Sequence, residues 1–183
     1  MRLYMGLVHF PVYNKHGDKI ASAITPLDIH DLARLAKTYD VNRLFIITPL
    51  EDQQKLARRV LWHWIEGYGG RYNQDRREAL ECVSVVGSIG EATTRIEAVE
   101  GEVPLMIATD AAYQEERSAS YKEARGWILK NQVVALMFGT AWGLHREAID
   151  QADRVLAPIT GRKGYNHLSV RTAAAIILDR LAG

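Results

Sequence analysis

The sequence predicts an α/β fold, a mostly parallel sheet with helices on both faces. Continuous apolar runs, such as residues 44–47 and 133–138, are typical of strands that are covered on both sides. The segments between these runs place apolar residues at helical spacing, and strands that alternate with helices indicate a parallel sheet. We find no internal repeat, linker or low-complexity stretch, so the 183 residues predict one domain over residues 1–183.

Composition excludes several classes of protein. The chain is 48% hydrophobic and 25% charged, which are ordinary values for a globular domain. No apolar run approaches the ~20 residues of a membrane span, and the first residues lack the apolar core of a signal peptide. We therefore expect a cytoplasmic protein with no membrane partner. The single cysteine, Cys82, excludes an intramolecular disulfide, and the six histidines show no metal-binding spacing, so we expect no metal site.

The net charge of +1 gives no global argument for nucleic acid binding. Any RNA-binding surface must therefore come from a local cluster or from a partner subunit. One candidate cluster lies on a predicted helix, where Arg58, Arg59 and Trp62 share an outer face. A cation beside an exposed indole suits RNA. A solvated face with Trp62 in a subunit interface fits the same pattern.

Strands and helices are expected to alternate along the chain. The predicted strands are short apolar runs bounded by proline, glycine or polar residues: 3–12, 42–48, 82–86, 105–108, 133–138 and a run from 155. The predicted helices carry an apolar stripe at helical spacing: one from 26, then 51–68, 88–98, 118–130, a short polar helix after 144 and a terminal helix after 169. Residues 71–77 are polar and contain three arginines, and no helix or strand is predicted there.

The first predicted helix has a clear start signal. Thr25 is a favourable N-cap, Pro26 suits the first helical position, and Asp28 complements the helix dipole. Further along this helix, Asp31 and Arg34 are three residues apart and could form a surface ion pair.

The last fifty residues contain three loops rich in groups that can form hydrogen bonds. Two follow buried strands and carry glycines, and the third leads into the last helix. Brought together, their backbone N–H and C=O groups could cradle a polar cofactor, although neither a Gly-x-Gly-x-x-Gly nor a phosphate-binding loop is present. The candidate cofactor-binding residues are Gly139, Thr140, Gly143, Leu144, Pro158, Ile159, Gly161, Tyr165, Asn166, His167, Leu168 and Ser169.

Thr109 and Asp110 are further candidates, because they follow the strand predicted at 105–108. In an open α/β sheet, loops at the carboxyl ends of the strands are where ligands usually bind. Capping of a turn is the alternative role for both residues.

The order and spacing of Phe138 to Leu144, Pro158 to Gly161 and Asn166 to Val170 resemble the SPOUT (α/β-knot) RNA methyltransferases. The resemblance implies that these loops, bordered by the loop of Thr109 and Asp110, form a pocket for S-adenosylmethionine. It also implies a C-terminal trefoil knot, in which the last helix passes through an earlier loop. It further implies a homodimer that methylates RNA, either tRNA or rRNA.

The resemblance extends to the first helix. Asp28 to Arg34 takes the place of the family pattern Asn-x-Gly-x-Ile-x-Arg, with Asp28 and His30 standing for the Asn and the Gly. Arg34 matches the family arginine, which contacts RNA phosphate or assists catalysis, and it would act in the pocket of the partner subunit.

Three residues are therefore the catalytic candidates: Arg34, Asn166 and His167. A histidine titrates near neutrality and could serve as a general base, while Tyr165 or Asn166 could orient the target nucleotide. Asp110 is a further candidate for binding the acceptor.

Two other functions stay open at this point. The same fold could hold the cofactor as a sensor or assembly factor without catalysis. A generic doubly wound nucleotide-binding protein would instead bind ATP or a dinucleotide.

Overall fold

The computed structural model describes residues 1–112 and 117–183. Its strands are β1 Leu3–Val8, β2 Val12–Tyr13, β3 Lys19–Ile20, β4 Arg43–Ile47, β5 Val83–Val86, β6 Leu105–Thr109, β7 Ser118–Ala119, β8 Val134–Gly139 and β9 Arg154–Leu156. Its helices are α1 Pro26–Thr38, α2 Glu51–Ile65, α3 Tyr68–Tyr72, α4 Gln74–Leu80, α5 Ile89–Glu100, α6 Tyr121–Leu129, α7 Arg146–Ile149 and α8 Val170–Ala182. Strands and helices alternate, which confirms the predicted α/β class.

Seven strands form the main sheet in the order β5-β4-β1-β8-β6-β9-β7. Each strand pair recorded for this sheet is parallel. From β1 the chain first builds one side of the sheet with β4 and β5, and then builds the other side with the remaining four strands. This reversal between β1 and β8 creates a crevice at the carboxyl ends of the strands, where ligands bind in such sheets.

Both faces of the sheet are covered, as the apolar runs predicted. In β1, Leu3, Met5 and Leu7 pack into one core cluster with residues of α1, α2, α4, α6 and α8. Tyr4 and Val8 point to the opposite face, where α5 and α7 contribute to a second cluster. This alternation follows from the two-residue repeat of a strand.

Several segments differ from the sequence-based expectations. The strand expected over 3–12 ends at Val8, and the helix expected over 51–68 ends at Ile65. Residues 71–77, for which no helix was predicted, belong largely to α3 and α4. The side chain of Asn73 accepts from Arg76 N at 2.9 Å and caps α4, whose Ala79 and Leu80 are buried. Five- and seven-residue helices are too short to show a periodic pattern.

The helix predicted from residue 118 begins later. Ser118 and Ala119 instead form β7 beside β9. Ser120 then caps α6 through a reciprocal capping box with Glu123.

The described ranges 1–112 and 117–183 contain no helix that is long and apolar enough to cross a membrane. In the same ranges, no group of three or more His, Cys, Asp or Glu side chains is placed to hold a metal ion.

Candidate functional site

A cleft of about 630 Å³ lies at the carboxyl ends of β6, β8 and β9, beside the start of α8. This volume falls within the roughly 300–1,000 Å³ range of small-molecule sites. Most of the candidate cofactor-binding residues line this cleft: Thr109, Asp110, Gly139, Thr140, Gly143, Pro158, Ile159, Asn166, His167, Leu168 and Ser169. The three loops therefore do come together, because the carboxyl ends of parallel strands share one edge of the sheet.

Four candidates lie outside the lining of the cleft. Leu144 is buried in the second core cluster, where it bridges to Val12. Gly161 and Tyr165 lie in the loop beyond the cleft, and the Tyr165 side chain is exposed. Arg34 is exposed on α1 and does not reach the cleft of its own chain.

Two glycines determine the shape of the loop that follows β8. A Cβ on Gly139 would contact Leu144 N and would lie 2.7 Å from Gly143 C. Gly143 has a φ of +99°, which side chains rarely tolerate, and its N–H donates to Thr140 O at 2.9 Å. The loop can fold back this tightly only without side chains at these positions. Trp142 lies between these glycines, lines the cleft and is largely exposed.

The loop before α8 is tied to the rest of the cleft. Asn166 Nδ2 donates to Ala111 O at 2.8 Å, which joins it to the segment that follows β6. Ser169 caps α8 by accepting from Thr172 N. The backbone N–H groups of Val170 and Arg171, in the first turn, have no intrahelical acceptors, so the helix start offers donors at the cleft.

Sequence reasoning missed one wall of the cleft. Ser22, Ala23, Thr25 and Asp28 line it, and they come from the segment that joins the β2–β3 hairpin to α1. The capping signal at Thr25 located the helix start correctly, and Thr25 Oγ1 accepts from Asp28 N. That local signal carried no information about which side of the sheet the helix start would face.

A buried hydrogen-bond chain supports this wall. Thr140 Oγ1 donates to Val8 O at 3.0 Å, and it lies 2.5 Å from Ser22 Oγ. Because each hydroxyl has one proton, Ser22 must donate to Thr140. Ser22 then accepts from His9 Nδ1 at 3.0 Å. This assignment puts the imidazole proton on Nδ1 and leaves the buried His9 Nε2 without a partner in the described residues.

His9 is held in its neutral form. The side chain has no solvent exposure, and burial lowers the pKa of His9 to about 4. The charge of Asp28 opposes this shift but is the smaller effect. The sequence did not indicate that His9 supports the cleft, because no pattern of spaced histidines surrounds it. Only the fold brings His9 to this position.

Asp28 is fixed at the cleft by two contacts. Its Oδ1 lies 3.2 Å from Arg171 Nε, and its Oδ2 accepts from Thr25 Oγ1 at 2.7 Å. Arg171 also pairs with Asp31 at 3.1 Å, so Asp31 pairs across the fold with α8 instead of with its neighbour Arg34.

The charges of the lining suit a cationic ligand. Asp28 and Asp110 are carboxylates at the cleft, and among the described residues no lysine or arginine lines it. Arg171 offsets part of the charge of Asp28, but a di- or triphosphate would find no lysine or arginine in the described lining to bind its phosphates. The sulfonium and ammonium groups of S-adenosylmethionine fit this lining, and the backbone donors of the loops fit its polar adenosine.

Comparison with known proteins identifies the family. Residues 2–183 match a family of SAM-dependent RNA methyltransferases. A tRNA (guanine-N(1)-)-methyltransferase of Oleidesulfovibrio alaskensis is 43% identical over 181 residues, which are 99% of this chain and 42% of that protein. The chain thus spans less than half the length of this relative. An uncharacterised protein of Aquifex aeolicus is 33% identical over 186 residues, covering 98% of this chain and 87% of that protein.

The fold agrees with this assignment. The SpoU methyltransferase AviRb from Streptomyces viridochromogenes, solved with AdoMet, superposes with a TM-score of 0.60. It is 16% identical, and the alignment covers 98% of this chain and 56% of AviRb, so this likeness shows the fold alone. The SPOUT resemblance drawn from the three loops is confirmed. The match over nearly the whole chain shows that this protein belongs to the SAM-dependent RNA methyltransferase family.

Proposed function

We propose that this protein transfers the methyl group of S-adenosylmethionine to RNA at the cleft beside β8. The observation that carries the proposal is that the three loops converge on one cleft. Among the described residues, the lining of this cleft has carboxylates and no lysine or arginine. That lining disfavours the alternative of a generic binder of ATP or a dinucleotide, since either ligand brings phosphate groups.

The cofactor residues are proposed from their positions. Backbone groups of Gly139–Gly143, Pro158 and Ile159, together with the helix start at Ser169, would bind the adenosine and methionine parts of the cofactor. When bound, the cofactor supplies an electrophilic methyl group on a cationic sulfur. The task of the protein is then mainly to position donor and acceptor in line.

Asn166 and His167 are proposed to handle the acceptor nucleotide. Both line the cleft, and the bond from Asn166 to Ala111 O fixes the amide in one orientation. His167 would accept the proton that the acceptor loses, and Asp110 would help to bind the acceptor.

Arg34 is proposed to act across a homodimer. Its guanidinium is exposed, forms no recorded ion pair within residues 1–112 and 117–183, and lies outside the cleft of its own chain. It could therefore reach a cofactor only in a second copy. Two half-sites would also explain how a chain of net charge +1 can bind RNA.

We further propose that residues 1–183 form one domain with a C-terminal knot. Support for one domain comes from the central strands, because β1 and β8 come from opposite ends of the chain and pair along their length. Support for the knot comes from the sheet order, since β6 and β7 flank β9 on opposite sides. The chain leaving β9 must return to α8, and Asn166 on this route contacts the segment after β6.

We propose tRNA as the first substrate to test, because a relative is named as a tRNA methyltransferase. That activity belongs to a protein more than twice as long as the matched region, so the guanine N1 position is not carried over to this chain. An RNA substrate would also imply a cytoplasmic reaction.

The test combines binding with transfer. Thermal unfolding is measured with S-adenosylmethionine, S-adenosylhomocysteine and ATP, at about 100 times the dissociation constant where one is measurable. Such binding adds about 2.7 kcal/mol of stability, or roughly 5–10 °C for a domain of this size. Methyl-labelled cofactor is then supplied with bulk tRNA and rRNA from cells that lack the protein.

We expect a shift with the two adenosyl ligands only, and label in one RNA class. The matched control is Arg95→Ala, an exposed change on α5 at the opposite face of the sheet. Binding without transfer would support the silent cofactor-binding protein instead. A shift with ATP alone would refute the proposed cleft chemistry.

A further inference from the structure

Three aromatic side chains at the end of α2 and in α3 are exposed to solvent. Trp62 is 63% exposed, Tyr68 69% and Tyr72 77%. Tyr68 and Tyr72 are one helical turn apart, and their rings are stacked with centroids 6.2 Å apart and planes at 21°. Gly67 N donates to Trp62 O at 2.9 Å, so the backbone of Trp62 lies next to the start of α3. Large apolar side chains grouped on a surface mark an interaction site.

The packing of α3 explains why these rings face outward. A Cβ on Gly69 would lie 2.7 Å from Cε3 of Trp64, and one on Gly70 would lie 3.0 Å from Ile65 O. The two glycines therefore let α3 lie directly against the end of α2. Trp64 is held in turn by the Arg76 guanidinium, 4.7 Å from its ring centroid. The tyrosines therefore lie on the outer side of a helix that packs closely against the end of α2.

Two arginines of the same helices are close to these aromatic residues in sequence: Arg59 is three residues before Trp62, and Arg71 directly precedes Tyr72. Arg59 and Arg71 are exposed, and neither forms an ion pair with any residue in the described ranges. We call Arg59, Trp62, Tyr68, Arg71 and Tyr72 the aromatic platform. Exposed aromatic rings and exposed arginines on the same two helices match the chemistry of single-stranded nucleic acid, whose bases stack and whose phosphates need cations. A duplex would keep its base faces hidden.

We propose that the aromatic platform binds a single-stranded segment of RNA outside the methyl-transfer cleft. No residue of the aromatic platform lines the cleft, but helix α1 reaches both the cleft and the end of α2 that supports the platform. Asp28 of α1 lines the cleft, and His30 packs edge-on against Trp64 at 5.2 Å. The identity of this RNA as the methylation substrate rests on the proposed function, whereas binding at the platform does not.

The test measures binding of a fluorescein-labelled 12-nucleotide oligouridylate by anisotropy, without cofactor, over a series of salt concentrations. The double variant Tyr68→Leu/Tyr72→Leu keeps apolar surface but removes the rings. We expect its affinity to fall about 5-fold or more for each ring removed. Tyr68→Phe/Tyr72→Phe keeps both π faces and is the matched control, with affinity near that of the wild type.

The arginines are tested separately. Arg59→Gln/Arg71→Gln should reduce the slope of log affinity against log salt by roughly 0.7 for each arginine that contacts a phosphate. Arg95→Gln, on α5, is the control cation and should leave the slope unchanged. In methyl transfer to RNA, the leucine variant should raise KM for RNA and leave kcat near wild type.

Three results would overturn the inference. One is wild-type affinity in the leucine variant, and another is equal binding of a duplex of the same length. A third is a change of oligomeric state in the leucine variant, seen by sedimentation, because it would make the platform a contact between two copies. Platform-dependent binding without methyl transfer would leave this inference standing and refute the proposed function. A wild-type KM for RNA in the leucine variant would support the proposed function and show that the RNA at the platform is not the methylation substrate.

Discussion

Acid should destabilise this protein through one buried imidazole beside the cleft. The folded chain holds His9 neutral, because burial lowers its pKa from 6.5 to about 4. The unfolded chain lets the same group titrate near 6.5. Between these two values the unfolded state binds more protons, so stability is lost as pH falls from about 6.5 towards 4. Above pH 6.5 this contribution is fully present.

The size of the effect follows from the shift. The full difference between about 4 and 6.5 corresponds to roughly 3 kcal/mol. Between pH 6.5 and 5.0, before most carboxylates titrate, His9 should account for about 1.5 kcal/mol. The pKa of His30 is also lowered, by burial first and then by Arg76, so part of the measured slope belongs to that residue.

The matched variant is His9→Asn, whose amide can still donate to Ser22 but cannot titrate. Urea unfolding at several pH values gives the free energy of unfolding for both proteins. We expect the wild type to lose about 1.5 kcal/mol more than the variant between pH 6.5 and 5.0, while His30 contributes equally to both. Equal pH dependence in the two proteins would refute the assignment of a buried neutral His9.

Three further changes test the loops. Thr140→Val removes the hydroxyl that bonds to Val8 O and Ser22, so it should cost about 1–2 kcal/mol in urea unfolding, whereas Thr140→Ser should cost less. Gly139→Ala forces a Cβ against Leu144 N, so we expect the free energy of unfolding to fall by about 1–3 kcal/mol. The thermal shift with S-adenosylmethionine should also become smaller. An unchanged shift would show that the cofactor does not use this loop. Ser169→Ala removes the cap of α8 and should cost about 1 kcal/mol, and Ser169→Asp should restore most of it; equal stability of all three proteins would contradict the cap.

Several features could be predicted from the sequence because they depend only on neighbouring residues. Thr25 was correctly predicted as an N-cap, and the last helix starts directly after Ser169 as expected, because a cap acts within three residues of the chain. The family resemblance implied that the loop after β8 and the loop after β9 meet in one pocket, and both line the same cleft. The candidate roles of the residues in these loops stay predictions until the ligand experiments are done.

Contacts between segments that are far apart in the chain could not be predicted from the sequence. Asp31 has Arg34 three residues away, yet it pairs with Arg171, which lies 140 positions along the chain. Sequence spacing favours the local partner, but the packing of α8 against α1 brings the distant one closer. The short helices α3 and α4 were missed as well, because they have too few turns to show an apolar stripe.

The sequence by itself determined the α/β class, the starts of α1, α2, α5 and α8, and the three loops, since each depends on the repeat of a single element or on a few adjacent residues. Only the tertiary structure decided which groups face the cleft. Sheet order places β1 beside β8, and this pairing brings His9 and Ser22 to Thr140. A buried hydroxyl or imidazole must find its partner wherever the fold supplies one, and the chain distance between them leaves no pattern in the sequence.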